Sequence, residues 1–303
     1  MTSEINYAAI LSGFDDLAAK GVIKYGPRET HRYQLGDNTA FTIEFHISTS
    51  LSKKPQDGDP ISGHEHEDSD SSKPKQKPEC FGPGSDIAND GPGLLITTVN
   101  NTHLLVINKF CMFRPQLLLL TSDSYRRQRE PLNVDDFAAA CTVLNSLNVD
   151  APQFVIYNCG PTAGASRQHK HLQVLPRPRY LFPDNEIGGK AVPYRYFLRY
   201  LHDVDLDTAE GQAKLCGLYK SLLAEAEESL GENVQDNGTY IPHNVALVKE
   251  WIVVIPRRNI EVEGVTTNTA GMLGSVWLAK DEEMARWKQV GPKKVLAGLG
   301  VPA

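Results

Sequence analysis

The chain has 303 residues, 41% of them hydrophobic and 22% charged, which is typical of a globular protein and excludes a fully disordered chain. Its longest apolar runs fall far short of the ~18 residues that a membrane-spanning helix needs. Its formal net charge of −6 does not suit a nucleic-acid-binding surface, so any anion site must be local.

The N-terminal part predicts one helix and one strand before the composition changes. Apolar residues recur at helical spacing over residues 4–24 and alternate with polar ones around FTIEFHI, residues 41–47. Residues 52–93 then contain almost nothing apolar and are rich in Pro, Gly, Ser, Asp and Lys, so they cannot bury enough surface to offset the entropy of ordering. We expect a mobile, low-complexity insertion over 52–93, in which His64 and His66 belong to a solvated linker and hold no metal.

From residue 94 onward, strands and helices are separated by turn signals. The predicted elements are a β-meander over 94–110 and 114–122, a helix opened by Asn133, strands over 153–158 and 168–176, a helix over 207–231, a hairpin turning at Lys249-Glu250, and two short C-terminal helices. Because this order lacks the regular cadence of parallel βαβ units, we predict an α+β fold with a mostly antiparallel sheet flanked by helices.

The N-terminus and the cysteines bear on the compartment. The first residues are acidic and lack the basic and apolar regions of a signal or transit peptide. Five cysteines, odd in number and without a C-x-x-C pair, are typical of free thiols. We therefore expect a cytoplasmic protein, with the nucleus as an alternative.

The chemistry is concentrated in the predicted strand QHKHLQVLP, residues 168–176. Alternate side chains of a strand point to one face, so we expect His169, His171 and Gln173 to project together. Lys170 does not suit the opposite, core-facing side, which indicates that the strand starts near an exposed edge. Two histidines can hold zinc, but glutamine is a poor third ligand, so we predict nucleophilic chemistry and no metal site.

A glycine-rich loop, GPTAGASR at residues 160–167, directly precedes this strand. Its glycines permit positive φ and leave backbone N–H groups accessible, which favours an anion-binding nest with Ser166 and Arg167 as further donors. A histidine attacks phosphorus well only when charge on the phosphoryl oxygens is stabilised, so loop and histidines together predict phosphoryl chemistry.

Loop and strand together, GPTAGASRQHKHLQVLPRP, resemble the signature of the histidine-triad (HIT) superfamily, with Gln173 in place of the third histidine, as in its transferase branch. With SLSKKP (50–55), HLLVINKF (103–110), PHNVALVKEW (242–251) and TNTAGMLGSVWLAKDEE (267–283), the chain resembles the fungal diadenosine tetraphosphate phosphorylases, also called ATP adenylyltransferases. The resemblance covers nearly the whole chain outside 56–92. It implies one HIT-like catalytic unit over 1–303, whose nucleotide site is completed by an adenylyltransferase-type segment over 234–303.

This resemblance implies a reaction and a set of partners. Inorganic phosphate would reversibly phosphorolyse diadenosine tetraphosphate to ATP and ADP through an adenylyl-histidine, with adenylyl exchange between sulfate and ADP as a side activity. His171 would be the nucleophile, His169 would orient it through its backbone carbonyl, and Gln173 would bind an α-phosphate oxygen. No tightly bound cofactor is implied, and whether magnesium accompanies the polyphosphate is left open. No nucleic acid or membrane partner is expected.

Further positions carry over as substrate-binding residues. Lys54 would approach the polyphosphate, Asn108 and Lys109 would contact the first nucleotide, and the C-terminal block would lie near the distal nucleotide or the phosphates. The full set is Lys54, Asn108, Lys109, Asn158, Gly164, Ala165, Ser166, Arg167, Asn268, Thr269, Ala270 and Lys280.

Two other functions stay open. A hexose-1-phosphate uridylyltransferase shares the His-x-His-x-Gln pattern, although its usual additional Cys and His metal ligands are not suggested here. A non-catalytic sensor could bind dinucleotides and signal through the 52–93 insertion. A HIT-type hydrolase is disfavoured by Gln173, because a neutral amide is a poor general acid or base.

Overall fold

An eight-stranded sheet forms the centre of the computed structural model, which describes residues 5–35, 41–51, 79–147, 151–184, 191–231 and 240–303. The helices are α1 (Tyr7–Ala19), α2 (Val134–Leu147), α3 (Ala209–Leu230), α4 (Thr269–Met272), α5 (Asp281–Val290) and α6 (Pro292–Leu299). The strands are β1 (Glu29–Gln34), β2 (Thr42–Ile47), β3 (Leu95–Val99), β4 (His103–Ile107), β5 (Leu117–Thr121), β6 (Gln153–Cys159), β7 (His171–Pro176), β8 (Phe197–Tyr200), β9 (His243–Leu247), β10 (Trp251–Pro256) and β11 (Ser275–Leu278).

The large sheet has the strand order β3-β4-β5-β7-β6-β9-β10-β8, and every neighbouring pair is antiparallel. A smaller sheet has the order β1-β2-β11, in which only β2 and β11 are parallel. The prediction of an α+β fold with a mostly antiparallel sheet is therefore confirmed. The pairing of β6 with β9, in register at Asn158 and Asn244, joins the N-terminal and C-terminal parts of the chain in one sheet.

The large sheet is buried on both faces. Along β6, Val155 and Tyr157 belong to a core that includes α1, α2 and α3, whereas Phe154 and Ile156 belong to a second core under the smaller sheet and the C-terminal helices. Strands covered on both sides read as continuous apolar runs. This explains why the run Leu117–Leu120 shows no alternation of apolar and polar residues.

Most predicted elements lie where the sequence indicates, and the exceptions are short or exposed. Strand β1 is exposed along its whole length, so no apolar pattern marks it, and its pairing with β2 creates it. Strands β8 and β11 and helix α4 span only four residues each, too few to show a period. Helix α3 is the best-marked element, because Thr208 caps its start and Gly231, with φ of 60°, ends it.

The predicted mobile insertion is partly wrong. Residues 79–93 pack into the molecule, with Phe81 and Ile87 buried and a main-chain bond from Phe81 N–H to Ile87 O. A few apolar side chains anchor this segment although its overall composition is polar. The average composition of residues 52–93 does not reveal these few anchoring positions. Residues 52–78, with Lys54, His64 and His66, lie outside the described residues.

The cysteines at positions 80, 111, 141, 159 and 216 are free thiols, four of them buried. None of the helices in the described ranges combines the length and apolarity of a membrane span.

Candidate active site

A cavity of about 500 Å³ opens where β4, β5, β6 and β7 meet the glycine-rich loop. Its wall contains most of the residues singled out from the sequence, drawn from four separated parts of the chain. These are Asn108, Lys109, Asn158, Gly164, Ala165, Ser166, Arg167, His171, Gln173 and Asn268.

The loop before β7 forms a 3₁₀ turn, Pro161–Ala163, between two glycines of positive φ. A Cβ on Gly164 would lie 2.8 Å from the Thr267 carbonyl oxygen, so this position requires glycine both for its φ of 86° and for close packing. The N–H groups of Gly164 and Ala165 donate to carbonyls inside the loop. The predicted nest of accessible N–H groups is therefore wrong at these two positions, although Gly164, Ala165, Ser166 and Arg167 all line the cavity.

His171 is held by both its ring and its main chain. Its Nδ1 lies 2.8 Å from the His169 carbonyl oxygen, the contact that the resemblance implies. Since a carbonyl only accepts, Nδ1 carries the proton, and the lone pair of the neutral ring is on Nε2. Gln128 accepts from the His171 N–H at 2.8 Å and donates to the His171 carbonyl at 3.0 Å. His171 is thus a fixed imidazole of defined tautomer on the cavity wall.

His169 lies behind His171 and is not part of the cavity wall, so the prediction that the two histidines and Gln173 project to one spot is wrong for His169. It precedes β7 in an isolated bridge with Arg127, and its ring is fully buried. Nε2 lies 2.9 Å from the Thr121 carbonyl oxygen. Burial lowers the pKa of His169, because it disfavours the charged ring.

Gln173 belongs to a chain of amides whose orientation is determined by hydrogen bonds. The Met112 N–H donates to Gln116 Oε1 at 2.7 Å, so the Gln116 amide nitrogen faces Gln173 and donates to its Oε1 at 3.0 Å. Because that oxygen is engaged, the Gln173 NH₂ is the group that can donate to an anion in the cavity.

Of the four residues predicted in the C-terminal block, one lies on the cavity wall and one supports a wall residue. The Asn158 side-chain oxygen accepts from the Thr269 N–H at 2.8 Å and from the Thr269 hydroxyl at 2.6 Å. Asn268 lines the cavity and caps α4. Thr269 and Ala270 are buried and Lys280 is exposed, and all three lie off the cavity wall.

Several wall or supporting residues carry no sequence signal for this role. Asp86 and Asp90 lie in the segment predicted to be mobile, yet Asp86 lines the cavity and Asp90 pairs with Lys109 at 2.5 Å. Trp277, which interrupts an aliphatic run, also lines the cavity. Gln116 and Gln128 stand in no recognisable motif.

The exposed strand edge predicted from Lys170 is wrong. The Lys170 side chain is fully buried, and its Nζ donates to Asp136 Oδ2 at 2.7 Å and to the Pro131 carbonyl at 2.9 Å. A buried ion pair with added hydrogen bonds permits a lysine on an inward-facing side. Nothing near Lys170 in the sequence identifies its partner.

Comparisons with known proteins agree with this architecture. The family model of the Ap4A phosphorylase N-terminal domain matches residues 61–190, and that of the ATP adenylyltransferase C-terminal domain matches 190–302, Ap4A being diadenosine tetraphosphate. Protein APA1 of Saccharomyces cerevisiae is 28% identical over 213 residues, 62% of this chain and 64% of its own. Diadenosine 5',5'''-P1,P4-tetraphosphate phosphorylase 2 of the same yeast is 29% identical over 231 residues, 65% and 69% of the two chains. The chain spans about two thirds of the length of these relatives.

Solved structures show the same fold. The crystal structure of yeast Ap4A phosphorylase Apa2 superposes with a TM-score of 0.73 at 22% identity, covering 100% of this chain and 96% of that one. The Apa2 complex with Ap4A gives 0.74 at 23% identity, covering 100% and 99%. At this level of identity the likeness establishes the fold.

Proposed function

This chain belongs to the Ap4A phosphorylase family, and from that premise we propose that it catalyses the reversible phosphorolysis of diadenosine tetraphosphate by inorganic phosphate, giving ATP and ADP. The observation that carries the proposal is the His171 ring, which lies on the wall of a 500 Å³ cavity with Nδ1 bonded to the His169 carbonyl. An imidazole held in this way presents a lone pair on Nε2 and acts as a nucleophile at neutral pH.

In the first step, His171 Nε2 attacks the α-phosphorus of the dinucleotide. The new N–P bond forms as the P–O bond to the departing ATP breaks, and the oxygen of ATP takes the electron pair. The adenylylated ring carries a positive charge, and the His169 carbonyl stabilises it through the Nδ1–H bond. The Gln173 amide donates to an α-phosphate oxygen, where negative charge increases.

In the second step, an oxygen of inorganic phosphate attacks the same phosphorus. The N–P bond breaks, its electron pair returns to Nε2, and ADP leaves. Phosphate is already an anion and needs no base, whereas water does, and the Gln173 amide is a poor base. Transfer to phosphate is therefore favoured over hydrolysis.

Substrate binding involves the remaining wall residues. Lys109 and Arg167 supply positive charge for the polyphosphate, and Asn108, Ser166 and Asn268 supply polar contacts. We assign Thr269 the role of holding Asn158, on its two bonds to that side chain. Ala270 and Lys280 lie off the cavity wall, so the proposal includes no direct contact between them and the substrate. Lys54 is proposed to approach the polyphosphate.

Three further parts of the proposal concern the cofactor, the acceptor and the compartment. No tightly bound cofactor is needed for these steps, and a magnesium ion bound with the polyphosphate would neutralise part of its charge. With ADP as the adenylyl donor, sulfate in place of phosphate would accept the adenylyl group from the histidine. The free cysteines support a cytoplasmic location, with the nucleus as alternative.

The test is incubation with Ap4A, with and without phosphate, followed by chromatography of the nucleotides. We expect ATP and ADP only when phosphate is present. Without phosphate, we expect a single release of ATP and one adenylyl group on the protein, detected by mass spectrometry. ATP and AMP without phosphate would indicate a hydrolase, and binding without turnover would indicate a sensor. Turnover of a nucleoside diphosphate hexose alone would favour the uridylyltransferase.

His171→Ala is the decisive variant for the chemical step. We expect turnover to fall by a factor on the order of 10³ or more while Ap4A binding changes little, because the ring supplies covalent chemistry more than ground-state contacts. His202→Ala, at an exposed histidine of the same chain, is the matched control and should leave turnover unchanged. Wild-type turnover in the His171 variant would contradict the mechanism.

A further inference from the structure

A segment that no motif marks contacts the histidine behind the nucleophile. Ser85 and Asp86, from residues 79–93, meet His169 across more than 80 positions of sequence. Ser85 Oγ lies 2.8 Å from His169 Nδ1, and the two Asp86 oxygens accept from the main-chain N–H groups of Gln168 at 2.7 Å and His169 at 3.0 Å.

The hydrogen bonds determine which atoms carry protons. The Thr121 carbonyl only accepts, so the proton of the neutral His169 ring is on Nε2 and the lone pair is on Nδ1. Ser85 Oγ accepts from the Ile87 N–H at 3.1 Å, which leaves its hydroxyl proton to donate to that lone pair. Every polar atom of this buried ring is thus paired, and its tautomer is opposite to that of His171.

The main chain at His169 is held from the same side. Asp86 binds the N–H of residue 169, and the two following peptide groups are fixed by bonds from Lys170 N–H to Arg126 O and from Thr121 N–H to Lys170 O, both 3.1 Å. Between these two attachments lies the His169 carbonyl, the acceptor for His171 Nδ1. Its position determines where the nucleophile's ring proton is held.

We propose that Ser85 and Asp86 are positioning residues for the nucleophile: they fix the ring and main chain of His169 so that its carbonyl keeps the proton of His171 on Nδ1 and the lone pair on Nε2. This rests on the proposed role of His171. Both residues bond to His169, so in this role both act on His171 through His169.

Steady-state kinetics of Ser85→Ala provide the first test. We expect kcat to fall roughly 10- to 100-fold, the usual cost of losing a group that orients a catalytic side chain, with KM within about twofold of wild type. Ser85→Thr keeps the hydroxyl and should recover most of the loss. Ser229→Ala, which removes a hydroxyl from α3 away from the cavity, is the matched control. Unchanged kcat in Ser85→Ala would overturn the proposal.

Histidine ring tautomers provide a readout that needs no turnover. In protein labelled with ¹⁵N-histidine, long-range ¹H–¹⁵N spectra distinguish Nδ1–H from Nε2–H rings, and His169→Gln and His171→Gln assign the two signals. We expect Nδ1–H for His171 in the wild type and a mixture of tautomers in Ser85→Ala. Pure Nδ1–H in that variant would overturn the proposal even if the wild-type protein did not phosphorolyse Ap4A.

Asp86→Asn keeps the proposal testable if Ser85→Ala does not fold. One carboxylate oxygen becomes an amide that faces an N–H, so one main-chain bond is lost at nearly constant volume. We expect the same fall in kcat with little change in KM. A rise in KM at constant kcat would instead assign Asp86 to substrate binding and contradict the positioning role.

Discussion

A single buried amide, Gln128, holds His171, the proposed nucleophile, in place. The Gln128 side chain makes three bonds to main chain, accepting from the His171 N–H and donating to the His171 and Asn158 carbonyls. The residue is 2% exposed, so none of these groups can turn to water if the amide is lost. One side chain therefore ties the nucleophile to the neighbouring strand β6.

Gln128→Met removes these bonds at similar volume. We expect the free energy of unfolding to fall by about 2–4 kcal/mol, because three buried polar groups lose their partner, and kcat to fall more than KM rises. Urea unfolding and steady-state kinetics measure the two effects. The control is Gln212→Met in α3, which removes a single bond from the Gln212 amide to the Leu206 carbonyl. Wild-type stability of the Gln128 variant would show that the three bonds contribute little.

At the scale of elements, a buried carboxylate connects a helix, a strand and the catalytic segment. Asp136 in α2 receives Lys170 Nζ at 2.7 Å and His103 Nε2 at 3.1 Å, and the exposed fraction of all three side chains is 2% or less. Asp136 also accepts from the Asn133 N–H, while Asn133 accepts from the Asp136 N–H, a reciprocal cap at the helix start. The residue between the two catalytic-motif histidines is thereby anchored to α2.

This carboxylate should make the stability of the fold depend on pH at the acid end. Burial by itself would raise the pKa of Asp136, but the hydrogen bond from His103 and the charge of Lys170 outweigh it and hold the pKa below its ordinary value. The pKa of Asp136 is lower in the folded chain than in the unfolded chain. Its contribution to stability is therefore present above about pH 3.9, the unfolded pKa, and is lost as the pH falls through the folded pKa.

Lys170→Met removes the cation of the buried ion pair and leaves the Asp136 carboxylate in place. We expect a loss of about 3–5 kcal/mol in the free energy of unfolding at neutral pH, because Asp136 remains buried without its cation. The double variant Lys170→Met with Asp136→Asn should recover much of this, and it should lose less stability than the wild type as pH falls below about 3.9. Urea unfolding across pH gives the comparison. Equal stability of single and double variants at neutral pH would contradict this account.

At the scale of the whole molecule, the two family domains share one sheet and one cavity. Strand β6 of the first pairs with β9 of the second, and Thr267 and Asn268 of the second line the same cavity as His171 and Gln173 of the first. Arg257, 1% exposed, donates to Asn244 and to the Thr267 carbonyl, so the C-terminal part is also held by buried bonds close to the cavity. Neither part contains the site by itself.

Division of the chain at residue 190, where the two family matches meet, tests this dependence. We expect neither fragment to unfold cooperatively, because β6 and β9 would each expose an unpaired edge and an apolar face. Co-expression should restore one cooperative transition and Ap4A binding. Thermal melts followed by circular dichroism are the measurement, with the undivided chain as control. A fragment that melts cooperatively alone would show that its half of the sheet is self-sufficient.

The reactive core could be predicted from the sequence because its signals are local. His171, Gln173 and the glycine loop lie within 14 residues of one another, from Gly160 to Gln173. Their spacing matches the alternation of His171 and Gln173 in β7 and the positive φ of Gly160 and Gly164. Helix α3 was equally predictable, since its cap, its apolar stripe and its terminal glycine all lie inside one segment.

Tertiary structure alone decided the surroundings of that core. From the sequence, Ser85 and Asp86 are predicted to belong to a polar insertion, and Lys170 to an exposed strand edge. Their partners in the fold are His169 for the first two and Asp136 for Lys170, and each partner lies more than 30 positions away. The sequence by itself determined most elements and marked the loop and the proposed nucleophile, since periodicity and capping act within a few residues. Which distant polar groups meet depends on how the strands pair and the cores close, and a hydrogen bond between remote residues leaves no local pattern in either of them.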